Sequence, residues 1–179
     1  TQINADELTE ELPILTLRNN VLFPGIALPV AIGRPKSMSL IKEAVQKKSL
    51  IGVVCQKKPD TEDPSINDIY TLGVVANVVR MFEMPDGITT VILQGRKRFR
   101  LNKLSAEYPY LKGKYTLLDE TVPNQQNREF QALLSTIKEL SVTMMNMGNE
   151  VPQEMVTIIQ NASSPSFLIN FSCTNLSTD

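Results

Sequence analysis

Residues 12–120 carry short runs of apolar and β-branched residues, each closed by Pro, Gly, Asn or Asp, which is the pattern of strands separated by turns. Leu12–Leu17 reads as a short strand running straight into an apolar loop, Val21–Pro29. Ser49–Cys55, Gly73–Arg80 and Ile88–Gln94 read as further strands. Between the last two, Pro85-Asp86-Gly87 supplies a fixed φ and then a residue that accepts positive φ, so the pair is expected to form a hairpin with Met81–Met84 near its tip. Arg98–Leu101 and part of Tyr110–Leu118 alternate polar and apolar, as antiparallel strands with one wet face do. A single helix interrupts this region: from Pro35 onward, Met38, Ile41, Ala44 and Val45 recur at three- and four-residue intervals, and Pro35 is tolerated in a first turn.

The period changes after Asp119. Phe130, Leu133, Leu134, Ile137, Leu140 and Met144 mark one face of a helix of about twenty residues ending near Gly148. Met155, Ile158, Ile159 and Ala162 repeat that pattern behind Pro152, and Ser164-Pro165 caps a third segment with Phe167, Leu168 and Phe171. The expected layout is therefore α+β, with a β-rich lobe over 1–120 joined near Thr121–Asn124 to a helical bundle over 121–179.

Composition narrows the chemistry. With no histidine among 179 residues, Ser-His-Asp and Cys-His catalysis and His-ligated zinc are excluded. No Ser pairs with a Lys in a nucleophile turn, and Gly113-Lys114 lacks the other residues of a phosphate-binding loop. Cys55 and Cys173 are too far apart in sequence to suggest a metal knuckle and are expected as buried thiols in a reducing compartment. Lys57–Asp68 reads as an exposed loop; its acids lack the spacing and Gly of a calcium loop. A net charge of −1 argues against bulk electrostatic binding of nucleic acid. No apolar run approaches the roughly 20 residues of a membrane span.

Three segments are candidate binding surfaces. The loop Val21–Pro29 holds two prolines, so part of it must lie at an edge or turn. Leu22, Phe23, Pro24 and Ile26 either pack onto the core or form an apolar patch. Core packing is the expectation at Phe23, and Leu22 and Ile26 stay open between the two. At the hairpin tip, Met81, Phe82 and Met84 either cover the barrel mouth or present a soft, adaptable surface. Strict alternation would send Arg96, Arg98 and Arg100 to one face as a basic stripe able to track phosphates, although pairing with acids is the plainer reading. The Met-rich end of the long helix, Met144–Met147, is expected to face helix partners, with subunit contact as the alternative.

Leu12–Gly25, Pro29, Gly33–Ser37, Leu72–Ala76, Gly95–Arg98 and Pro109–Leu111 occur in an order and spacing that resemble the amino-terminal domain of ATP-dependent Lon proteases. The resemblance covers nearly the whole chain. It implies a PUA-like pseudo-barrel followed by helices that lead toward an ATPase module. It also implies that ATP, Mg and a Ser-Lys peptidase site belong to parts outside these residues, so that this piece holds no cofactor and no catalytic residue. Its implied partners are unfolded or damaged proteins and other copies within a hexamer, in a bacterial cytoplasm or an organellar matrix, with no membrane. The absence of an initiator Met fits an excised piece. The alternatives are a stand-alone ligand- or degron-binding module and a PUA-like nucleic-acid binder; the cysteines do not make the zinc set of a cereblon-like module.

Overall fold

In the computed structural model, residues 3, 7–85, 88–121, 123–124, 126–147 and 152–175 are described. Two compact units, Thr1–Asp119 and Glu120–Asp179, divide the chain. The first contains β1 (Glu11–Leu17), β2 (Ala27–Ile32), α1 (Pro35–Lys47), β3 (Ile51–Gln56), β4 (Ile69–Glu83), β5 (Thr89–Ala106) and β6 (Lys112–Leu117). β1 pairs in parallel with β3 and antiparallel with β6. β3–β4, β4–β5 and β5–β6 are antiparallel, so these five strands close on themselves. Closure leaves the barrel portion with no open edge.

Alternation assigns the apolar residues of the barrel to two cores. Along β1, Leu12 and Ile14 join one cluster and Leu15 and Leu17 the other; along β4, Val75 joins the first and Val74 and Ala76 the second. The second cluster contains Leu40, Ile41 and Ala44 of α1, so it lies outside the barrel beneath the helix, and the first fills the interior. Apolar residues on both faces explain why these strands read as near-continuous hydrophobic runs.

Ile88–Gln94 and Arg98–Leu101 are not separate strands: both belong to the 18-residue β5. Val75 pairs with Lys97 and Ala76 with Gly95, which leaves Arg96 as an extra, bulged residue. One inserted residue reverses the facing of everything beyond it. Val91 and Leu93 therefore lie in the exterior core while Phe99 and Leu101 enter the barrel, although all four are odd-numbered.

The first half of β5, with β2 on one side and Asn77–Glu83 of β4 on the other, extends beyond the barrel as a three-stranded arm. The last three residues of the apolar segment Val21–Pro29 thus open strand β2. The predicted hairpin is present, with Met84 N–H bonded to the Ile88 carbonyl (2.9 Å). Its Asp86-Gly87 turn lies outside the described residues.

The second unit contains α2 (Arg128–Met147), α3 (Gln153–Gln160) and α4 (Pro165–Asn175). Asn127 caps α2 through its side-chain oxygen, and the Ser164 hydroxyl accepts from the Phe167 N–H at the start of α4. The Lys138 ammonium donates to the Gln160 and Ala162 carbonyls at the end of α3. Val156, Ile159 and Leu168 form the buried apolar centre. On α2 only part of the expected face is covered: Phe130, Leu134 and Ile137 are half-buried, whereas Leu133, Leu140 and Met144 are exposed, and Met147 is 80% exposed. Within the Met-rich end, Met144 and Met147 are thus uncovered among the described residues, whereas Met145 is half-buried. Gly148 lies outside the described residues. Cys55 is half-buried, with burial pushing its thiol pKa up, and Cys173 is exposed rather than buried; both are free thiols.

Candidate functional site

The loop after β1 folds back onto β5. Gly25 N–H donates to the Gly95 carbonyl and Gly95 N–H to the Ile26 carbonyl, both at 2.9 Å. Gly25 occupies φ 78°, which a Pro-Gly turn permits. A Cβ at Gly95 would lie 2.2 Å from the Phe23 carbonyl oxygen, so the loop docks there because residue 95 has no side chain. The docking buries Leu22 (4% exposed), Pro24 and Ile26 (7%) and half-buries Phe23. Burying a Leu or Ile side chain is worth about 1.5–3 kcal/mol each, which outweighs leaving them on a surface. Leu22, Pro24 and Ile26 are therefore corrected from surface candidates to core, and only Val21 of this loop stays exposed among its larger residues.

The hairpin arm presents the opposite picture. Met81 packs against the exterior core, but Phe82 (39% exposed) and Met84 (47%) remain open to solvent, together with Val79 and Ile88. The Arg80 guanidinium lies 5.8 Å from the centre of the Phe82 ring on the same face of β4. The tip and the docked loop are not side by side. They meet β5 at Thr89 and Gly95, six residues apart, which is roughly 20 Å along a strand.

The basic residues do not form a single stripe. The bulge takes Arg96 out of the alternation; Arg98 and Arg100, paired with Val74 and Leu72, face the barrel exterior. Arg98 is half-buried and borders a cavity of about 90 Å³ with Leu22 and Phe23. Lys97 is held by Asp119 at 2.6 Å. Arg100 alone of the three stripe candidates is exposed.

A feature that periodicity gave no sign of lies at the start of α1. A cavity of about 310 Å³ is walled by Ile14, Leu40, Pro35, Pro64, Tyr110 and Leu111, and rimmed by Arg34, Lys36, Glu62 and Asp63. The Lys57–Asp68 loop builds this rim instead of standing free. Lys36 grips Asp63 at 2.7 and 2.8 Å, Arg18 pairs with Glu62 at 2.9 Å, and Arg34 donates to the Thr16 hydroxyl and the Thr61 carbonyl. The hydrogen bond from Lys36 to Asp63 raises the ammonium pKa, and desolvation lowers that of Arg34. The Tyr110 phenol is pushed up to about 12, by burial first and by the neighbouring Glu43 second, so it stays protonated. Farther along, a 3₁₀ turn at Ile66–Asp68 is closed by the Ser65 hydroxyl and N–H, both donating to Asp68, which hold that carboxyl below its usual range. The cavity has the size and apolar walls to accept one or two side chains. Its paired prolines and the Gly33-Arg34 step are the only local traces of it in the sequence.

Among the described residues, no three His, Cys, Asp or Glu side chains converge as metal ligands. No described helix is long and apolar enough to cross a membrane.

These features define a class: an α+β chain with a five-stranded closed barrel, a projecting apolar hairpin and a following helical unit. The amino-terminal domain of a Mycobacterium avium complex Lon protease shares the fold, with a TM-score of 0.72 over 90% of this chain and 81% of that one at 20% identity. Residues 11–179 match the family described as the ATP-dependent protease La (LON) substrate-binding domain. The Lon protease of Parabacteroides distasonis is 57% identical over 171 residues, 96% of this chain and 21% of its own length. That of Porphyromonas gingivalis is 42% identical over 179 residues, 99% of this chain and 21% of its own length. The chain belongs to the Lon substrate-binding domain family. It spans about a fifth of the length of these relatives.

Proposed function

We propose that this chain is the part of a Lon protease that engages protein substrates, catching exposed apolar segments of unfolded or damaged polypeptides on the tip of the β4–β5 arm. The observation that carries this reading is the group of large apolar side chains, Val79, Phe82, Met84 and Ile88, left open on one projecting hairpin while Leu22, Pro24 and Ile26 of the loop beside the barrel are buried. Exposed apolar side chains gathered on one element mark an interaction site. Met and Phe suit a surface that must accept many sequences, because a thioether chain adapts its shape and an aromatic ring carries a large contact area.

In the parent, ATP-driven peptide hydrolysis by a Ser-Lys site would follow capture, in other parts of a ring-shaped hexamer in the bacterial cytoplasm. Each arm binds weakly, and several arms in one ring raise the effective concentration of a second contact. The exposed Leu133, Leu140, Met144 and Met147 of α2 support a role for the helical unit in self-association. The test is fluorescence anisotropy of one labelled protein, in folded and chemically unfolded forms, titrated with the chain at two salt concentrations. Apolar capture gives binding of the unfolded form alone, changing by less than about twofold between low and moderate salt. A steep loss with salt would instead assign the contact to charged side chains such as the exposed Arg100 and remove apolar capture as its basis.

A further inference from the structure

The arm has two outer edges, and they differ. Among the described strands β2 pairs with β5 alone, which leaves its other side without a strand partner, and Pro29 sits in the middle of β2 opposite Ile92. A proline cannot donate into the ladder, so its nitrogen belongs on the open side, where it removes a donor from the edge. This is one of the ways proteins protect an exposed strand from pairing with another chain. On the far side of the arm, β4 pairs with β3 only as far as Ala76. Asn77–Glu83 is bonded to β5 on one side, and no described strand covers the other. No proline or lysine interrupts this stretch. Beyond the register shift at Val79, Arg80–Glu83 pairs with β5 as a regular four-residue run that carries the exposed Phe82 and leads into the exposed Met84.

We propose that the open edge of β4 at Arg80–Glu83 binds an extended apolar segment of an unfolded polypeptide by strand addition, main chain to main chain. The proposal rests on the reading of the arm as the capture surface and specifies how it works. Backbone groups are the same in every polypeptide, so an edge recognises extended chain without regard to sequence, while Phe82 and Met84 favour apolar side chains beside it. Folded proteins keep their backbone groups paired and offer no such partner. Selectivity for the unfolded state thus follows from the hydrogen-bonding chemistry of the edge as well as from apolar contact.

The experiment compares two labelled decapeptides of identical apolar sequence titrated with the 179-residue chain, one unmodified and one N-methylated at every interior residue. Methylation removes the donors on both edges of the peptide and keeps its side chains. Strand addition predicts a loss of at least about tenfold in affinity, since one or two hydrogen bonds suffice for that factor. Equal or tighter binding of the methylated peptide overturns strand addition and leaves apolar capture standing. Failure of both peptides, with unfolded protein also unbound, overturns the capture reading as well. Self-association through the arm that the unmodified peptide does not displace also overturns the proposal, because it assigns the edge to a second copy.

Discussion

Replacing Phe99 by alanine is expected to destabilise the strand-rich unit by about 3–5 kcal/mol, the range for emptying a large aromatic site in a packed core. For a unit of this size the melting temperature should fall on the order of 15 °C. The ring is fully buried inside the barrel and stands edge-on to Tyr115, with centroids 6.0 Å apart and planes at 86°. It shares the interior with Leu12, Ile14, Val54, Val75 and Leu101, drawn from four strands, so its loss opens a cavity that no single strand can close. Phe99→Leu should recover most of the loss. Calorimetry of both variants checks this, and a change of only a few degrees for Phe99→Ala would mean that the barrel interior is not filled through β5.

The second large effect concerns binding. Changing Phe82 and Met84 together to serine should weaken the affinity for unfolded polypeptide by at least about tenfold, since contact with even one such side chain is worth about 1.5–3 kcal/mol. Stability should fall by roughly 1 kcal/mol for each side chain, less than a core truncation, because Phe82 and Met84 are 39% and 47% exposed and only partly covered. Leu22→Ser and Ile26→Ser provide the contrast. Each should destabilise by roughly 2–5 kcal/mol, because these side chains are core. Anisotropy and thermal unfolding of the unchanged chain and these three variants separate the two outcomes. A tip variant that binds normally, or that melts as early as Leu22→Ser, contradicts the assignment of the tip as an exposed capture surface.

The contrast between Leu22 and Phe82 shows what local sequence can and cannot convey. α1 and the 20-residue α2 are legible because a helix satisfies its own backbone and its period lies within one segment. The hairpin is legible for the same reason: its turn chemistry is local. The continuity of β5 is not, since the bulge at Arg96 reverses the facing and makes one strand look like two. The fate of Leu22 and Ile26 depends on a Gly seventy residues away that lets the loop approach, and no property of the loop itself decides it. The stripe Arg96, Arg98, Arg100 fails at the same bulge. On α2, the period correctly marks an apolar face, but period says nothing of what covers it, and Leu133, Leu140 and Met144 remain exposed. The cavity at the start of α1 needs β1, the Glu62–Pro64 loop and Tyr110-Leu111 together, so it exists only once the fold has assembled them.

Hydrogen exchange of the whole chain, with and without a saturating unfolded polypeptide, tests the central claim most directly. Capture by the arm predicts slowed exchange concentrated in residues 79–84 and 88–94, with the barrel strands and α2 unchanged. Protection that spares the arm and appears instead around the cavity at α1 or along α2 would contradict it.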